Sequence, residues 1–166
     1  MPLPTHRLDV LVVAPHPDDP WTAALDRLFA LGTSAGWWTE DGKGTPRSSE
    51  VVQGGVTRVA RGHAHERRLL ANAIGGFRVA CPACGGSVAH QLHRSVADWR
   101  SGGSFELTCG RCGSSTSLDA LTYRPHAAWA SGWFELRDVG HHRLDAKALV
   151  RIEEAVGPFR TVLRRV

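Results

Sequence analysis

The sequence has no apolar run long enough to cross a bilayer, and it has almost no lysine. The first absence excludes a membrane-spanning helix. Lysine occurs only at Lys43 and Lys147, so no lysine-rich run marks a tail that binds nucleic acid. Because Asp9 precedes a short apolar run that ends in proline, the start is neither a secretory leader nor a transit peptide, and we expect a cytoplasmic protein.

Catalytic motifs with a recognisable spacing are also missing. The chain has no glycine-rich phosphate loop, no serine nucleophile elbow and no Cys/His dyad. Its 166 residues fit one domain, or one domain that carries a small insert. The net charge of +4 comes almost entirely from arginine; it permits an acidic partner without establishing one.

Hydrophobic periodicity predicts helices and strands on both sides of the cysteines. Before the cysteines we predict a strand at 8–14, a helix that Asp19 caps and Pro20 opens, a loop at 32–49, a strand at 56–61 and a helix at 64–74. After them we predict a strand at 129–139, a helix that Asp145 caps and a strand at 159–166. Within the long loop, Trp37 and Trp38 are expected to pack onto the body.

These elements predict an α+β fold: a small sheet with helices packed on one face, in a ferredoxin-like arrangement. We expect residues 1–76 and 119–166 to form this body. Residues 77–118, which contain all four cysteines, are then an insert between its halves.

The cysteines form two matching pairs, Cys81/Cys84 and Cys109/Cys112, with 24 residues between the pairs. This spacing permits one tetrahedral Zn²⁺ site with four thiolate ligands. Two disulfides would suit a secreted protein, and a redox pair needs only one Cys-x-x-Cys, so the matched pairs favour metal. A closed four-cysteine site has no open position for chemistry, so we expect the zinc to be structural.

The segments "CPACGG" and "LTCGRCG" resemble the zinc ribbon fold group. In that group two such turns at the tips of β-hairpins hold one zinc ion, and the glycines after each pair, Gly85 and Gly113, suit such turns. The spacer of 24 residues is long enough for a hairpin, with candidate strands at 87–96 and 104–109. Zinc ribbons bind nucleic acid, dock proteins or serve as structural staples, so the resemblance leaves the function open.

A second segment, "LVVAPHPDD", resembles the first motif of the PIG-L/LmbE zinc-dependent deacetylases. The resemblance implies that His16 and Asp19 are metal ligands and that Asp18 is a general base. Position 20 is proline where that family has glutamate, and "HQLH" at 90–93 is the sole counterpart of its later motif. The alternative interpretation is a turn followed by a helix cap.

Other histidines and tryptophans have two interpretations each. A second metal could bind at one of two histidine pairs, although exposed loop histidines are the simpler explanation: His63/His65 and His141/His142. Three tryptophans could stack on bases, although packing in the core and between the lobes is the simpler explanation: Trp99, Trp129 and Trp133.

From these observations we expect a zinc-binding protein that docks a protein partner and does not act as a catalyst. Nucleic-acid binding ranks second, and a deacetylase-like activity third. Between the cysteine pairs Arg94 and Arg100 are balanced by Asp98 and Glu106, so the ribbon lacks the dense positive charge of a nucleic-acid face. If nucleic acid does bind the ribbon, these two arginines and Arg111 are the expected contacts.

Overall fold

A computed structural model describes residues 7–72 and 74–166 of the chain. Three α-helices are seen in these residues: α1 Thr22–Ala35, α2 Ala89–Arg100 and α3 Ala146–Val156. Strands of the same residues are β1 Leu8–Val13, β2 Arg58–Leu70, β3 Arg78–Ala80, β4 Glu106–Thr108, β5 Ser115–Ser117, β6 Thr122–Arg124, β7 Ala128–Arg137 and β8 Arg160–Arg165. None of the described helices is long and apolar enough to span a membrane.

Four strands form one antiparallel sheet in the order β2-β7-β1-β8. Helix α1 connects β1 to β2, α3 connects β7 to β8, and the two helices pack against each other. This is two split β-α-β units on one sheet, which confirms the predicted α+β, ferredoxin-like arrangement. The cysteine region lies between β2 and β7, so the chain leaves the sheet and returns to it at neighbouring strands.

The main core lies between the sheet and the two helices. Val10 and Val12 alternate along β1 with side chains of the opposite face, as expected for a strand that is buried on both sides. Trp37 and Trp38 are 1% exposed, which confirms that they pack onto the body. Helix α1 continues through Gly32 into the predicted loop. The glycine leaves space for the Trp38 indole, since a side chain at this position would collide with it.

The predicted helix at 64–74 is wrong: residues 58–70 form the long strand β2. This strand pairs with β7 along both of its ends, and the register shifts between His63 and Arg68, where β2 bulges. Strand pairing across the sheet has therefore overridden a short helical spacing. Ala73, which that prediction also used, lies outside the described residues.

The strand predicted at 87–96 is also wrong, because most of that segment forms α2. Val88, Leu92, Val96 and Trp99 follow one another at intervals of four, four and three residues and face the second core. The predicted hairpin is instead formed by β4 and β5.

The predicted cap of α1 is displaced. The helix begins at Thr22 after Trp21, and Asp19 Oδ1 accepts a 2.8 Å hydrogen bond from the Trp21 N–H. The cap of α3 is confirmed, since Asp145 Oδ1 accepts from the N–H groups of Lys147 and Ala148.

The sheet face opposite the helices carries a buried charge network. Asp9 is fully buried on the central strand β1, where it accepts hydrogen bonds from Arg7, from Arg164 of the neighbouring strand β8 and from the Asp138 N–H. Glu135 on β7 accepts from the Trp133 indole and from Arg137. These carboxylates tie together strands from both ends of the chain.

Candidate metal centre

The two cysteine turns have the same backbone geometry. In the first turn the Cys81 N–H donates to the Gly86 carbonyl and the Gly85 N–H donates to the Cys81 carbonyl, both at 2.9 Å. In the second turn Cys109 makes the matching pair of bonds with Ser114 and Gly113, at 2.9 and 2.8 Å. Gly85 and Gly113 have φ values of 68° and 74°, a conformation that glycine adopts without strain.

Folding brings the four thiols together. Cys81 Sγ lies 3.8 Å from Cys112 Sγ, and Cys84 Sγ lies 3.8 Å from Cys109 Sγ. All four sulfur atoms lie within 4.8 Å of one another, and none of the cysteines forms a disulfide. Sulfurs that surround zinc tetrahedrally at about 2.3 Å are about 3.8 Å apart, so this set of donors fits the ion.

Ser114 sets the electrostatics of one side of the cluster. Its hydroxyl lies 3.0 Å from Cys112 Sγ and 3.4 Å from Cys81 Sγ. Together with backbone N–H groups of the first turn it lowers the pKa of Cys81 to about 6, and it also lowers the pKa of Cys112. Hydrogen bonds to a thiolate favour the ionised form, which is the form that binds metal.

Cys84 has the opposite shift. The Gly86 N–H acts to lower its pKa, but burial and the three neighbouring thiols outweigh that effect and raise the pKa to about 11. Four thiols this close cannot all be ionised without a cation between them. Metal binding would therefore release protons from the cluster.

Ser114 is not among the residues that the sequence predicts for the site. It occupies the second position after its Cys-x-x-Cys pair, where the first turn has Gly86. Aligning the two turns residue by residue would have found it, since a serine at that position is the nearest hydroxyl to two sulfurs of the cluster.

A second core supports the cluster from the side that faces the body. Trp99 of α2, Phe105 before β4 and Trp129 of β7 pack edge to face, with ring centroids 5.1–5.7 Å apart. The Trp129 indole N–H donates to the Tyr123 hydroxyl, which donates to the Leu118 carbonyl. Trp99 and Trp129 are therefore packing residues that join the cysteine region to the sheet.

Arg67 forms a further link between the two parts, a role that no sequence pattern predicts. Its guanidinium lies 4.1 Å from the centroid of the Phe105 ring and also pairs with both carboxylate oxygens of Asp18. Arg67 thus connects the loop after β1, the bulge in β2 and the cysteine region. Only the fold brings these three segments together.

The residues of the deacetylase-like motif do not form a metal cluster. Asp18, the proposed base, is paired with Arg67, whose hydrogen bonds lower its pKa. Asp19 is bonded to the Trp21 N–H, and His16 is exposed. The sheet that carries this motif is antiparallel throughout.

The other candidate histidines also lie outside any cluster. His63 and His65 are exposed on β2, and His141 and His142 stack on each other at 4.3 Å. Across residues 7–72 and 74–166, the four cysteines are the one group of three or more His, Cys, Asp or Glu side chains that is close enough to share a metal ion.

Comparison of the chain with family models, with curated proteins and with solved structures gave no significant match.

Proposed function

We propose that the protein binds one structural Zn²⁺ through Cys81, Cys84, Cys109 and Cys112, and that it acts by docking a protein partner. The observation that carries the proposal is the closed cluster of four sulfurs. A tetrahedral site with four protein ligands leaves no position for water or substrate, so its contribution is to the fold.

The zinc would organise the insert on a body that has its own core. In this proposal residues 1–76 and 119–166 supply the ferredoxin-like body, and residues 77–118 carry the metal. We extend the metal-carrying part to Arg124, because β6 pairs with β3 directly before the first cysteine turn. The aromatic cluster of Trp99, Phe105 and Trp129 holds this part in a fixed orientation on the sheet.

A protein partner is favoured over nucleic acid by the burial of the aromatic side chains. The large hydrophobic side chains that are exposed among the described residues are aliphatic: Ile74, Val150 and Val166. Binding of single-stranded nucleic acid usually depends on exposed rings on which bases stack. Several arginines are also less available for phosphate contacts, since Arg47, Arg61 and Arg67 are paired with carboxylates.

Affinity purification of the tagged full chain from a native lysate tests this proposal, with nuclease-treated and untreated arms. We expect a stoichiometric protein partner that survives nuclease and is lost with the variant Cys84→Ser. Fluorescence anisotropy with mixed-sequence oligonucleotides at two salt concentrations is the counter-test. Tight binding with a steep salt dependence would instead support a nucleic-acid partner. In such a complex the association constant falls by about 0.9 log units per phosphate neutralised for each tenfold rise in salt.

A further inference from the structure

The two-stranded sheet β3-β6 places two like charges directly opposite each other. Arg78 and Arg124 are register partners at one end of this sheet, and both are exposed. Like charges in directly opposed positions destabilise strand pairing. Neither guanidinium pairs with a carboxylate of the described residues, so the fold gains no ion pair from this arrangement.

Alternation along the strands separates an inner and an outer face. Val79 and Tyr123 point inward and are buried in the second core. The next pair along the sheet, Ala80 and Thr122, shares the outer face with the two arginines.

These small side chains form the floor of a groove of about 510 Å³, with Phe77 and Pro82 among its walls. Its lining contains no aspartate or glutamate; Cys81 of the metal cluster also lies along it, and the arginine pair supplies all of its positive charge.

We infer that this outer groove binds the carboxylates of an acidic segment of the protein partner. The inference rests on the proposed function and names the docking site. Each guanidinium offers a planar fork that matches a carboxylate with two parallel hydrogen bonds. Two such forks on neighbouring strands can hold two acidic side chains of one extended peptide, while the small floor and the Phe77 edge leave room for its backbone.

A peptide fits these features better than a nucleic-acid backbone. Two arginines neutralise few phosphates, and Phe77, the aromatic residue of the groove, is already packed on Tyr123 with ring centroids 5.8 Å apart. Nucleic-acid grooves combine a longer basic track with free rings.

Nuclear magnetic resonance titration of the zinc-loaded full chain with an acetylated Glu-Ala-Glu amide tests the inference. We expect saturable shifts at residues 78–80 and 122–124. A Gln-Ala-Gln amide and the double variant Arg78→Ala/Arg124→Ala should each weaken binding roughly tenfold or more. The matched control Arg94→Ala/Arg143→Ala, which removes two arginines outside the groove, should bind the peptide as the wild type does.

A charge reversal separates binding from stability. Arg124→Glu places a carboxylate opposite Arg78, so we expect the melting temperature to stay level or rise while peptide binding is lost. A fall in melting temperature together with loss of zinc would show that the arginines balance the charge of the metal cluster, and this would overturn the inference.

Three further results would also overturn it: equal binding of the Gln peptide, shifts confined to other surfaces, or tighter binding of a single-stranded oligonucleotide at the same groove. The proposed function is judged separately. If the double variant still recovers the nuclease-resistant partner, the function stands and the groove is not its docking site. If the peptide binds the groove but no protein partner is recovered, the affinity of the groove for carboxylates stands, while its role as a docking site fails together with the proposed function.

Discussion

The body sheet and the cysteine region are stabilised by different means. The body has strands of 6 to 13 residues and a core that includes Trp37, Trp38 and Phe134, each nearly inaccessible to solvent. The strands of the cysteine region are three residues long, and its core includes two of the cysteines themselves. We propose that burial of apolar surface folds the first region alone, whereas the second depends on a metal. The predictions below separate these two sources of stability.

Loss of one thiol should have the largest effect, and it should be confined to the cysteine region. We expect Cys84→Ser and Cys112→Ser each to release the zinc and to unfold residues 77–124, since zinc binding supplies roughly 10 kcal/mol in comparable sites. Hydrogen exchange should then show lost protection there and retained protection in β1, β7 and β8. Ser104→Ala, an exposed change in the same region, is the control. Simultaneous loss of protection in the body strands would contradict two separate sources of stability.

Breaking the buried charge network should destabilise the body and leave the cysteine region folded. Asp9→Asn leaves Arg7 without its carboxylate and leaves Arg164 with Glu135 alone, and removal of one partner of a buried pair costs about 3 kcal/mol. We expect a lower urea midpoint for the body, with the zinc content unchanged. Asp41→Asn removes an exposed partner of Lys43 and should change little. If the two variants lower the urea midpoint equally, the buried network stabilises the body no more than an exposed ion pair does.

The same carboxylates should make the body sensitive to acid. Burial acts to raise the pKa of Asp9, but hydrogen bonds from the Asp138 N–H, Arg164 and Arg7 outweigh it and lower the pKa below its ordinary value. Burial likewise acts to raise the pKa of Glu135, and the Trp133 indole and Arg137 lower it overall. A depressed pKa in the folded state stabilises the fold fully above the unfolded values of about 4, and this contribution is lost as pH falls through the folded-state values.

Urea unfolding of the Cys84→Ser background between neutral pH and pH 3 measures this loss without interference from zinc release. We expect the unfolding free energy to decline below about pH 4 and the decline to be shallower with Asp9→Asn. A decline of the same steepness in both chains would assign the acid sensitivity to other groups.

A substitution at the junction between the two regions should have the smallest effect on stability. Arg67→Ala removes the ring contact with Phe105 and the pair with Asp18, for about 1 kcal/mol. The expected result is faster hydrogen exchange in β4 and α2 with zinc retained. Arg67→Lys, which keeps the charge without the planar fork, should recover part of the protection. Zinc loss with Arg67→Ala would instead place this residue in the support of the metal cluster.

Prediction from the sequence succeeded where a local pattern is decisive. The buried run that forms β1, the Asp145 cap of α3 and the two Cys-x-x-Cys-Gly turns each carry their signal within a few residues. The four thiols could be identified as one set because the turns match. The ferredoxin-like arrangement followed from the strands and helices predicted on either side of the cysteines.

The failures arise where distant segments decide the structure. Residues 64–70 belong to a strand because β7 pairs with residues 58–63 and 68–70, on either side of the bulge, and no local pattern records that pairing. Arg67 reaches Asp18 across 49 positions of the chain, so its role is invisible before folding. Residues 87–96 were predicted as a strand although the helical pattern of α2 was present, since Val88, Leu92 and Val96 already show helical spacing.

Native mass spectrometry of the freshly purified chain, combined with thiol titration before and after metal removal, tests the central claim most directly. One zinc ion should be bound per chain, with four thiols that become reactive together when the ion is removed. A chain that carries no metal, or one that shows two disulfides and no reactive thiols, would contradict the account of the cysteine region as a zinc-stabilised insert.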